Sequence, residues 1–100
     1  MSETQTLPQE VLAANGKLDP RKAFFEAAAK ELRPLQMVRL RLAMALRPVK
    51  AQAAIDMVEM RLQAEGILSE DGDVQAAVDW NQILAIIIEL LPIILKLFGL

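Results

Sequence analysis

The final stretch, Trp80 to Leu100, reads WNQILAIIIELLPIILKLFGL and limits what this chain can fold into. From Ile83 onward, thirteen of eighteen residues are Ile, Leu or Phe, and Glu89 and Lys96 carry the only charges. So long an apolar run is a helix rather than a strand. Asp79 stands at the N-cap position, and Gln82 follows at the capping-box spacing. Gly99 suits a C-terminal stop, and Lys96 in the last turn suits the negative end of the helix dipole.

On a helical wheel Gln82, Glu89 and Lys96 recur every seven residues and fall on one line. Ala85, Pro92 and Gly99 widen the same stripe. Pro92 removes one backbone bond and kinks a helix away from its own side, which water tolerates on a wet, convex face. The stripe is therefore expected to face solvent or a wet lumen, with three sides of the helix buried. A helix apolar nearly all round belongs in a large core or in a membrane. The expected contact surface is Trp80, Ile83, Leu84, Ile86, Ile87, Ile88, Leu90, Leu91, Ile93, Ile94, Leu95, Leu97 and Phe98. Ile83–Leu100 measures about 27 Å as a helix, barely the span of a hydrocarbon core, so crossing is feasible but not forced. The last twenty residues, ILKLFGL especially, resemble short pore-forming or membrane-active amphipathic peptides, which implies action on a membrane; a tail anchor is the other membrane role such a helix could take.

One hundred residues make at most one domain. Neither Cys nor His occurs. Disulfides and thiolate metal sites are excluded, and the usual general base near neutral pH is missing. The start lacks a secretory pattern, so the expected place is the cytoplasm or a multi-subunit particle. The net charge of −2 is unevenly spread. Residues 17–50 hold nine Lys or Arg against three acids, and residues 51–100 hold two against eight.

Residues 1–18 are expected to form a mobile arm, with a turn at Asn15-Gly16. Asp19-Pro20 then marks a helix start. Phe24, Ala28 and Leu32 give that helix an apolar line, and Pro34 ends or kinks it. A second helical segment runs from Leu35 to Arg47, with Leu35, Val38, Leu42, Ala45 and Leu46 as its expected core stripe. Pro48 closes it or begins the next. Val49 to Glu65 is amphipathic, with Ala51, Ala54, Ile55, Val58 and Leu62 on one face. Gly66 and Ile67 suit a Schellman ending. The organisation is thus a three-helix segment over 19–68, an acidic loop over 69–78 and the apolar helix over 79–100. The fold class is all-α, a small helical domain with a Pro-kinked C-terminal helix.

Residues that could carry chemistry are few. Asp71-Gly72-Asp73 lacks the further acids of a calcium loop, so it reads as a solvated loop and no metal is expected. Glu89 and Lys96 lie two turns apart, too far for a tight pair, and read as charges that keep an oily helix soluble. The arginines between positions 33 and 50 are expected to pair with acids of the third helix or of a neighbouring copy. MRLQAEGILSEDGDV resembles the end of a recognition helix and the wing of winged-helix proteins. That resemblance implies a small DNA-binding regulator, although strands to frame a wing are missing.

The leading expectation is a non-enzymatic structural subunit without cofactors. Its C-terminal helix would drive homo-oligomer assembly or docking on a larger machine, as in a virion component. The alternative is membrane association through the same helix.

Overall fold

A computed structural model describes residues 7–75 and 77–100. The described chain is all-helical, with no strand. Its α-helices are α1 (Pro20–Glu31), α2 (Pro34–Leu46), α3 (Pro48–Ala64) and α4 (Trp80–Leu97). Proline opens each of the first three. Its fixed φ suits the first helical position, where its missing N–H would have no partner anyway. Pro34 and Pro48 therefore begin helices instead of kinking one, and single connecting turns leave the three helices closely linked.

The remaining caps follow local chemistry. The Asp19 carboxylate accepts from the N–H groups of Arg21 and Lys22 at 3.0 and 3.3 Å. Asp79 and Gln82 form the capping box read from the sequence. Asp79 Oδ1 accepts from the Gln82 N–H at 3.1 Å, and Gln82 Oε1 accepts from the Asp79 N–H at 2.9 Å. α3 and α4 end in the same way. Gly66 and Gly99 take φ of 78° and 74°. The N–H groups of Ile67 and Leu100 reach back to the carbonyls of Leu62 and Leu95 at 2.9 Å each. Only glycine takes that left-handed position cheaply.

α4 packs against α1 and α3, while α2 lies chiefly against α3. Phe24, Leu40, Val58, Leu62, Ile83, Ile87 and Ile94 are fully buried where these helices meet. α4 thus finds cover inside its own chain, but on one face instead of three. Ile83, Ile87, Leu90, Leu91, Ile94 and Phe98 are buried, while Ile93 and Leu97 remain exposed. The stripe of Gln82, Ala85, Glu89, Pro92 and Lys96 lies outside, as its composition requires. Two neighbouring helices form one groove, and a groove covers one side of a cylinder.

The N-terminal segment differs from the mobile arm expected. Residues 9–11 form a single 3-10 turn, and Val11 is fully buried. Leu12 and Leu18 pair in an antiparallel bridge. The Asp19 N–H donates to the Val11 carbonyl at 2.8 Å. Val11 and Leu18 join the core because α1 leaves its apolar face open at this end. The rest of the expected arm, residues 1–6, lies outside the described residues.

The acidic loop is a tight turn. Leu68 and Val74 form a second antiparallel bridge. The Ser69 N–H donates to the Asp73 carbonyl, and the Gln75 N–H to the Ile67 carbonyl, each at 2.9 Å. Lys17 ties the two bridged turns together. Its Nζ donates to the Asp71 carbonyl at 2.7 Å and lies 3.8 Å from the Asp73 carboxylate. Between this turn and α4 the Val78 N–H donates to the Gln75 carbonyl at 3.1 Å. Ala76 lies outside the described residues.

Candidate docking face on the second helix

α2 carries apolar residues on nearly its whole circumference, interrupted by Gln36, Arg39 and Arg41. A helix turns 100° per residue, so the two arginines divide it into two apolar faces. Leu40 and Met44 occupy one, and both are buried against the bundle. The other is the line expected from the sequence to enter the core. It faces outward: Leu35 is 63% exposed, Val38 59%, Leu42 58% and Leu46 72%. Ala45 is exposed as well. Val49, at the start of α3 just beyond the line, is 84% exposed. Lone exposed apolar residues are ordinary, whereas four large ones on one helix face, with a fifth just beyond, form an apolar patch.

The charges in the sequence that carries this row have one sign, and Asp56 adjoins it only beside Val49. From Leu32 to Ile55 the chain holds Arg33, Arg39, Arg41, Arg47 and Lys50 and no acid. Among the described residues no ion pair involves any of the five. The expected pairing of these arginines with acids of α3 is absent there. Arg41 instead lies over the Phe25 ring, 4.6 Å from its centroid. Cation–π contact holds a guanidinium without neutralising it. Arg39 and Arg41 stand at the two margins of the exposed row, since each is about 100° or less from its edge.

At its C-terminal half the row meets the end of α4. Two adjoining hollows open there, of about 90 and 260 Å3. The smaller is lined by Gln36, Arg39, Leu95 and Leu100, the larger by Arg39, Leu42, Ala43, Leu46, Arg47, Phe98 and Leu100. Among the described residues no Asp or Glu lines either. Leu100 reaches them because the Gly99 turn folds the last residue back toward Leu95.

The contact surface expected on α4 is divided. Ile83, Ile87, Leu90, Leu91, Ile94 and Phe98 belong to the core of the fold. Trp80, Leu84, Ile86, Ile88 and Leu95 are partly buried against it. Ile93 and Leu97 keep a free edge. α4 is long and apolar enough to cross a membrane, and 28% of that span is buried within the fold.

Glu89 engages Arg61 of α3 in an ion pair, and Arg61 also donates to Glu65 at 3.0 Å. The Arg61 guanidinium is raised above its ordinary pKa. The hydrogen bond to Glu65 is the main cause, and Glu89 adds to it against partial desolvation. Arg61 is a fixed cation between two anions. Lys96 has no ion pair among the described residues.

The segment that resembles a recognition helix and wing presents acids outward. Glu65 at the end of α3 is exposed, as are Glu70, Asp71 and Asp73 in the turn that follows. Phosphates would meet like charge there. The bridge at Leu68 and Val74 takes the place of wing strands.

The outward direction of the α2 row is what periodicity missed. One signal was present in the sequence, the acid-free run of 24 residues from Leu32 to Ile55 around it. No protein-family model, curated protein or solved structure matches this chain.

Proposed function

We propose that this chain is a small non-enzymatic subunit that docks on an anionic membrane surface through the outer face of α2. One observation carries the reading: four large apolar side chains exposed on one face of α2, Leu35, Val38, Leu42 and Leu46, with Val49 exposed just beyond, in a run of sequence that holds five cations and no acid, Asp56 meeting it only at the Val49 end. An interfacial helix has this form, with its apolar side among acyl chains and cations at its margins among the headgroups. Each Lys or Arg near an anionic leaflet contributes about 1 kcal/mol, and each Leu or Val newly buried about 1.5–3. Pairing of α2 with α2 of a second copy would set these cations opposite one another, and like charges disfavour that contact. The absence of His and Cys from the sequence supports a binding role over catalysis.

Flotation of the full chain with vesicles tests the reading. The expected result is binding to equal parts phosphatidylcholine and phosphatidylglycerol, lost at high salt and absent with phosphatidylcholine alone. Leu42→Glu with Leu46→Glu should abolish it while leaving helix content intact, since both side chains are already exposed. Equal flotation of the double variant overturns the reading.

A second reading keeps self-assembly through α4, favoured by the free edge of Ile93 and Leu97. Sedimentation velocity decides it. A dimer that Ile93→Glu dissociates supports assembly, and a monomer at all concentrations removes it.

A further inference from the structure

We propose that the groove between α2 and the end of α4 holds one acyl chain of an anionic lipid, with its headgroup on Arg39 and Arg47. The inference rests on the membrane reading for the source of the lipid and adds a specific site to it. Leu42, Leu46, Phe98 and Leu100 supply an apolar floor, and the two arginines supply the rim. Arg39 lines both hollows, so the floor continues past it toward Leu95. The hollows are shallow and narrow, a form that suits a single extended chain lying along them. Arg39 and Arg47 have no ion pair among the described residues, so no described Asp or Glu side chain occupies them. Guanidinium groups take phosphate oxygens in bidentate fashion, so the site should select by headgroup as well as by chain.

Dodecyl phosphate, titrated as a free monomer into the full chain and followed by amide NMR shifts, tests the site. The expected result is saturable shifts centred on Leu42, Leu46, Phe98 and Leu100. Dodecyltrimethylammonium should bind about tenfold more weakly, the worth of one charge-assisted hydrogen bond. Arg39→Gln with Arg47→Gln should lower dodecyl phosphate affinity by a similar factor, and both side chains are exposed, so the fold should survive. Shifts that never saturate, that centre elsewhere or that ignore the headgroup overturn the site.

Leu35→Ser with Val49→Ser separates the two ideas, because these residues lie on the docking patch outside the groove. This pair should weaken vesicle flotation and leave dodecyl phosphate binding unchanged; loss of both together overturns the separate groove. Wild-type chain that ignores vesicles but binds dodecyl phosphate disproves membrane docking while the groove chemistry stands. Vesicle binding without dodecyl phosphate shifts has the opposite meaning.

Discussion

Leu40 and Leu42 stand two positions apart on α2 and point to opposite sides of it: Leu40 is fully buried and Leu42 is 58% exposed. The two leucines should therefore respond differently to the same change. Leu40→Ala should lose about 2–5 kcal/mol of stability, the usual result of emptying a packed site. Leu42→Ala should change it by no more than about 0.5. Urea unfolding of the two variants measures the difference, and equal losses would mean that α2 packs by its other face.

The C-terminal helix should be sensitive along one line and tolerant along another. Ile87 and Ile94 are fully buried in the fold, so Ile87→Asp or Ile94→Asp places an unpaired carboxylate in the core and should unfold the chain. Pro92 is exposed. Pro92→Ala restores a donor for the Ile88 carbonyl and should stabilise by up to about 3 kcal/mol. Circular dichroism melts of the three variants check this, and a destabilised Pro92→Ala would contradict the exposed placement.

The N-terminal segment should matter to folding. Removing residues 1–18 takes Val11 and Leu18 from the core, each worth about 1.5–3 kcal/mol of burial. The truncated chain should melt markedly lower. Proteolysis makes the complementary measurement: cleavage within 9–18 should be slow under native conditions, and fast cleavage there would restore the mobile arm.

Arg61 links α3 to Glu89 on α4 at an exposed site. Glu89→Gln should lower the melting temperature slightly at low salt and leave it unchanged at about 1 M salt, where the screening length is near 3 Å. A salt-independent loss would mean that Glu89 acts through packing instead of charge. An arginine stays charged throughout the range in which proteins remain folded, so the pair does not weaken as pH rises.

Asp79 offers the most local test. It caps α4 through the Gln82 N–H, and Asp79→Ala should remove about 0.5–2 kcal/mol. Asp79→Ser should recover most of that, and failure of the rescue would assign the loss to charge rather than to capping.

The sequence by itself determined the helices, their caps and the wet stripe of α4. Those features depend on residues near one another in the chain: proline at a first turn, glycine past a last one, Asp79 with Gln82, and polar groups every seven positions. It also determined the inward face of α3, where Ala51, Ala54, Ile55, Val58 and Leu62 stand opposite Gln52 and Asp56. Tertiary structure alone decided three matters. Val11 and Leu18 are buried because α1 leaves an open end for them, which no local pattern encodes. α4 is covered on one side because its own chain supplies one groove. α2 turns Leu40 and Met44 inward and its longer row outward, although Arg39 and Arg41 separate two apolar faces that periodicity cannot rank. The choice between them belongs to the shape of α3, the neighbour that α2 must fit.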